Sequence, residues 1–129
     1  MTQKLSARIA AVLLVLHGLI EIVGLFFSSS IPQNMTAFGG MTGDLLAKNA
    51  PVIAMYGALW GISRFIAAWG TWSLRKWVLI LGILLSLVTL VAAITIIPAG
   101  VMDTFLALPV LVCLLYAWFG NEVGARQDC

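Results

Sequence analysis

Charge is what this chain has least of. Asp, Glu, Lys and Arg make up 9% of its 129 residues, against about a quarter in ordinary soluble domains. Histidine occurs once, at His17, and cysteine twice, at Cys113 and Cys129. Cys113 lies in an apolar run and Cys129 far from it, so they make neither a metal spacing nor a C-x-x-C pair, and a secreted disulfide scaffold is excluded. The formal net charge of +2 is too small to hold a polyanion, which excludes a nucleic-acid partner. What the chain has instead is 62% hydrophobic residues and a mean hydropathy of +1.08. A water-soluble domain of this length has no interior large enough for that much apolar surface, so an ordinary soluble enzyme and a disordered tail are excluded as well. The expected solvent is lipid.

Four apolar runs, each near the roughly 20 residues a helix needs to cross a bilayer, predict spans at about 9–28, 51–73, 77–97 and 103–120. Pro51 opens the second, a favoured first-turn position, Pro98 ends the third, and Gly120-Asn121 closes the fourth. The connections are unequal: a long segment over 29–50, then tight turns at Arg75-Lys76 and Pro98-Ala99-Gly100. Short links force antiparallel neighbours. The expected fold is therefore all-α, a single domain over 1–129 forming an up-down, integral-membrane four-helix bundle.

Lys4, Arg8, Arg75, Lys76 and Arg126 fall on one side of these spans and Lys48 alone on the other. The positive-inside rule then places both termini in the cytoplasm and the chain in the cell (inner or plasma) membrane. Trp69, Trp72, Trp77 and Trp118 lie at the same ends of their helices, as interfacial aromatics do. Lys4 and Arg8 before the first run, with Ser28-Ser29-Ser30 after it, have a signal-peptide outline. The run is too long for such a core and carries His17 and Glu21, so it is read as a helix. In the outer segment, Asp44 and Lys48 are spaced i,i+4 and fit one interfacial helical turn, in a loop resting on the membrane or, alternatively, a lid.

Of the twelve charged residues, ten lie outside the apolar runs or at their ends, Asp103 opening the fourth, and the exceptions are Glu21 and Arg64. A charge near the bilayer centre costs about 2.5–3.5 kcal/mol even on lenient scales, so each needs a partner or a cavity. At 1.5 Å per residue Glu21 lies about 4 Å on the outer side of the midplane and Arg64 about 3 Å on the inner side, within reach of a long guanidinium stem. The two are expected to pair, with His17 one turn away on the face of Glu21. Each run has one face of small or polar residues at i, i+4, i+7, i+11 spacing. These faces are His17, Glu21, Gly24, Ser28; Gly57, Gly61, Arg64, Ala68; Gly82, Ser86, Thr89, Ala93; and Pro109, Cys113, Tyr116, Gly120. They are expected to converge on one axis, with Tyr56, Trp60 and Ser63 beside Arg64, Ser86, Thr89 and Tyr116 lining the site, and Gly24, Gly57, Gly61 and Gly82 at helix contacts. His17 and Glu21 lack further ligands for a metal, and no cofactor motif or nucleophile–base set points to an enzyme.

The segment Ile20-Glu21-Ile22-Val23-Gly24 is similar to the first-helix glutamate segment of small multidrug-resistance exporters, although the long outer segment and Arg64 depart from their pattern. The Arg- and Asn-rich motif of the glutathione-handling membrane transferases is missing. Gly18-Leu-Ile-Glu21-Ile-Val-Gly24 resembles the G-L-x-E-L-x-G helix of DoxX-like membrane proteins. The Gly70-Thr-Trp-Ser-Leu-Arg75-Lys-Trp77 hairpin is similar to those of many small bacterial four-helix proteins. These resemblances imply fold and membrane location only.

Two functions fit. In the first, the polar cluster binds or transports a proton, ion or small amphipathic ligand, with Glu21 as titrating or cation-binding group, Arg64 as anion clamp and His17 as proton relay. In the second, the chain is a non-catalytic subunit or assembly partner whose glycine faces dock another membrane protein. Beyond lipid, the expected partner is a second copy or another membrane protein. The orientation has a direct check in a background lacking Cys113 and Cys129. Lys48→Cys is expected to react with an impermeant maleimide outside intact cells, and Arg75→Cys only after permeabilisation; the reverse pattern overturns the topology.

Overall fold

The computed structural model describes residues 2–27, 48–95 and 100–120. Its elements are four helices: α1 Gln3–Phe27, α2 Ala50–Trp72, α3 Lys76–Thr95 and α4 Gly100–Phe119, with no strand among the described residues. The outer segment with Asp44 and Ser28, the Pro98-Ala99 turn, Asn121 and Arg126 lie outside those residues. α2, α3 and α4 begin and end within a few residues of the expected spans. α1 starts six residues earlier, at Gln3 rather than Ile9, because helical hydrogen bonding continues through polar residues that a hydropathy reading leaves out. Those early residues are held to the end of α4: the Gln3 amide donates to the Gly120 carbonyl, and Ser6 Oγ donates to the Cys113 carbonyl at 2.7 Å.

Three of the helices are long and apolar enough to cross a membrane, over Gln3–Gly24, Pro51–Trp72 and Lys76–Ile94. The apolar stretch found in α4 is Asp103–Phe119, with Asp103 in the helix's first turn. With 20 residues the helix itself is about 30 Å long. Around the bundle, α1 packs against α2 and α4, and α3 against α4 and α2, with α2 and α3 the least closely packed of these pairs. One end carries Lys4, Arg8, Arg75 and Lys76 and is called the basic end below; the Asp103 end lies opposite.

α1 and α2 meet backbone to backbone. A Cβ built on Gly61 would lie 2.7 Å from the Gly18 carbonyl oxygen, and one on Gly18 would lie 2.8 Å from that of Gly61. Such a crossing is open only to residues without side chains. At the other end of α2, Val78 packs so closely on Gly70 that an added Cβ would fall 2.4 Å from Val78 Cγ2. The turn between them is closed by Leu74, whose φ of 54° places it in the left-handed region. Among the described residues, a Cβ at Gly24 or at Gly57, two of the glycines expected at helix contacts, meets nothing within 4 Å. Gly82 does sit at a helix contact, against Leu114 of α4.

The interior is built largely of small residues: Ala7, Ala10 and Ala11 of α1, Ala67 and Ala68 of α2, Ala93 of α3, and Ala107 and Ala117 of α4 are buried. Large apolar side chains such as Phe26, Ile66, Trp69, Val91, Ile94, Phe105 and Phe119 face outward, the inverse of a water-soluble bundle. The buried faces of α2 and α3 include Gly61, Arg64 and Ala68, and Gly82, Ser86, Thr89 and Ala93, as the spacing predicts. α4 differs. Its buried face is Ala107, Val110, Leu114 and Ala117, one residue away from the expected Pro109, Cys113, Tyr116, Gly120 stripe, and Pro109 and Tyr116 are exposed. One residue is about 100° of helix rotation. α4 packs its alanines against its neighbours, and proline in its interior is turned outward.

Two glycines four residues apart thus have opposite roles, which unfolding in detergent can read. Gly61→Ala pushes a methyl into a backbone oxygen and is expected to cost about 2 kcal/mol. Gly57→Ala enters open space and is expected to be neutral, or stabilising by up to about 1 kcal/mol.

Candidate functional site

The glycine crossing positions the charges. A Cβ at Gly18 would touch the Cβ of Arg64 at 3.3 Å, and one at Gly61 would touch the Cβ of Glu21 at 3.4 Å. Each glycine leaves room for the stem of the other helix's charged residue. Arg64 Nε comes to lie 3.0 Å from Glu21 Oε2, an ion pair whose angle falls short of a hydrogen bond. Arg64 and His17 are fully buried, and the Glu21 side chain is 17% exposed.

The other guanidinium nitrogens are also matched. Nη1 donates to His17 Nδ1 at 2.6 Å, and Nη2 donates to Thr89 Oγ1 at 2.6 Å. Thr89 in turn donates to the Leu85 carbonyl at 2.8 Å and accepts from Trp60 Nε1 at 3.3 Å. A hydroxyl has one donor and two acceptor positions, so the capacity of Thr89 is filled. Because a guanidinium only donates, His17 Nδ1 must accept, and the ring proton of this neutral tautomer belongs on Nε2. Nε2 lies 3.4 Å from Asp103 Oδ1 and 3.8 Å from Glu21 Oε1. The cluster therefore takes groups from all four helices: His17 and Glu21 from α1, Arg64 and Trp60 from α2, Thr89 from α3 and Asp103 from α4.

Asp103 is the member that sequence reasoning missed. It stands at the start of the fourth run, and the stripe read on that run, Pro109, Cys113, Tyr116 and Gly120, does not point to it. Other expected lining residues stand apart. Ser63 and Ser86 donate within their own helices, to Leu59 and Gly82 carbonyls at 3.0 and 2.9 Å. Tyr116 is exposed beside Gly120 at the basic end, a consequence of the different face that α4 buries. Tyr56 is exposed and sits on the wall of a cavity rather than against Arg64.

That cavity, of about 590 Å³, lies between α2 and α3 toward the Asp103 end, and its wall includes Glu21, Tyr56, Gly57, Trp60, Thr89 and Asp103. A second groove of about 640 Å³ runs between α1 and α2 toward the basic end, with Ala11, Val15, Phe65, Ala68 and Trp69 among its lining and no titratable group. Arg64 lines neither cavity. Buried, with three of its nitrogens facing partners in the protein, it is not placed as the expected anion clamp. No group of three His, Cys, Asp or Glu among the described residues is arranged to hold a metal ion. Comparison with family models, with curated proteins and with solved structures gives no match to this chain.

The pair can be weighed by unfolding. Arg64→Met leaves Glu21 buried beside an apolar stem and is expected to cost about 3–5 kcal/mol. The Glu21→Met/Arg64→Met double variant removes both charges and is expected to be less destabilised than either single variant. The coupling should exceed the 0.2–1 kcal/mol or so of surface pairs; additive costs would mean the pair is idle.

Proposed function

We propose that this chain is a multi-pass membrane protein that binds, and through that binding transports, a small amphipathic ligand in the cavity between α2 and α3. Three features support the membrane setting: helices long and apolar enough to cross a bilayer, large apolar side chains on the outside, and ion-paired charges inside. The gathering of Lys4, Arg8, Arg75 and Lys76 at one end supports cytoplasmic termini and a cell-membrane location. Arg8 there lies over the Trp72 ring, 5.6 Å from its centre, the kind of cation–aromatic pair that suits an interface.

The observation that carries the reading is the cavity itself. It opens where the bundle is least closely packed, and it joins an apolar wall of Ile53, Leu59, Val88 and Ala92 to the polar group of Glu21, Asp103 and Thr89. A ligand with one apolar and one polar end fits such a wall, and a volume of a few hundred cubic ångströms is the ordinary size of a small-molecule site. Gly57, on that wall, keeps the space open. The alternative of a subunit docked through its glycine faces has less support, because Gly18 and Gly61 use their bare surfaces on each other.

Mass spectrometry after gentle extraction tests this. The wild-type chain is expected to retain a small-molecule adduct, and Gly57→Leu, whose side chain would project into the cavity beside Tyr56 and Trp60, is expected to lose it. A stoichiometric protein partner with no adduct would reverse the order of the two readings.

A further inference from the structure

The charges on the cavity wall have one sign. Among the described residues Glu21 and Asp103 line it, and no Lys, Arg or His does. The balancing cation, Arg64, lies behind the wall with Nε on Glu21, Nη1 on His17 and Nη2 on Thr89. It offsets one carboxylate. The second, on Asp103, makes its one ion-pair-range contact among the described residues with His17 Nε2, at 3.4 Å. His17 Nδ1 is taken up as the acceptor of an Arg64 N–H, 2.6 Å away. Two carboxylates thus stand against one guanidinium, and the Asp103 side chain is 52% exposed.

Geometry adds two further features. The Trp60 ring is fixed at the wall by its N–H to Thr89, and Tyr56 stands exposed one helical turn away on the same helix. Aromatic faces beside a carboxylate favour a cationic group, above all one too poorly hydrated to remain in water. His17 Nε2, fully buried and without a hydrogen-bond partner, faces the same carboxylates.

Resting on the binding function proposed above, we propose that the ligand is a monovalent amphipathic cation, of the organic ammonium class. Its head group lies against Asp103 and Glu21 between Tyr56 and Trp60. Its apolar body lies along Ile53, Val88 and Ala92. An anionic ligand would meet two carboxylates with the only nearby guanidinium already engaged, and a divalent metal ion would meet no ligand set of three.

The test uses the full chain in phosphatidylcholine vesicles and three radiolabelled probes with one alkyl chain: hexyltrimethylammonium, hexanol and hexyl sulfate. Binding is measured by equilibrium dialysis against empty vesicles. The cation is expected to bind saturably at one site per chain, with the sulfate failing to displace it. Asp103→Asn is expected to weaken it about tenfold or more, since one unscreened charge at close range is removed, and Asp103→Glu to restore it. Gly57→Leu should abolish it, with folding of each variant checked by helical circular dichroism. If hexanol or hexyl sulfate binds saturably, is blocked by Gly57→Leu and is preferred to the cation, the cavity function stands and the cation assignment falls. Saturable cation binding that Asp103→Asn leaves unchanged also overturns the assignment. If none of the three probes saturates, both readings fall.

Discussion

A guanidinium that cannot lose its proton is buried at the centre of four apolar helices, and the bundle is arranged around that constraint. Arg64 has five N–H groups and no acceptor. Leaving such a group unmatched in a low-dielectric interior costs several kcal/mol. Its partners therefore have to arrive from other helices at fixed heights: Glu21 and His17 from α1, Thr89 from α3. A slide of one turn along α1 is about 5.4 Å, enough to break both α1 contacts together. The glycine crossing serves the same end, because only bare backbone at Gly18 and Gly61 lets the Arg64 and Glu21 stems pass each other at this depth. Packing and charge here are one device.

Most of that device could be read from the residues, and the parts that could not have a common cause. A lone acid and a lone base at matching depth on consecutive helices have few choices but each other, so the juxtaposition of Glu21 and Arg64 was legible. The inward faces of α2 and α3 were legible because Arg64, Ser86 and Thr89 mark them. On α4 the few polar or small marks, Thr104, Cys113 and Tyr116, do not fall on the side that is buried, which is made of Ala107, Val110, Leu114 and Ala117. Asp103 was missed for the same reason. The glycines show a related limit. The Gly57-x-x-x-Gly61 spacing lies within one helix, whereas the contact that matters pairs Gly61 with Gly18 on another, and sequence spacing does not carry that relation.

The division of side chains by size follows from the solvent. In water, burying large apolar groups drives collapse, and the largest go inside. In the lipid setting proposed here that drive is absent between helices, and close approach and polar contacts hold the bundle instead. An interior in which alanines and glycines sit among a few leucines and valines, with most isoleucine and phenylalanine outside, fits that regime. The latches at the basic end, Gln3 to Gly120 and Ser6 to Cys113, tie α1 to α4 by side chains bonded to carbonyls. Together with the Arg64 cluster they hold α1 at two levels, which leaves the junction of α2 with α3 as the least constrained seam.

That seam is where the cavity lies, and its position is a consequence of how Arg64 is held. The guanidinium turns toward α1 and reaches α3 through Thr89 alone, a single bond closed on the α2 side by Trp60. Below this point the turn at Leu74 draws α2 and α3 together, with Val78 against Gly70. Above it Gly57 adds no side chain to fill the gap. Carboxylates remain on the wall because the cation that stabilises the fold sits behind them. The arrangement that makes the charged centre stable thus leaves an opening of defined sign beside it, and removing Arg64 would alter the fold and the electrostatic character of the cavity together.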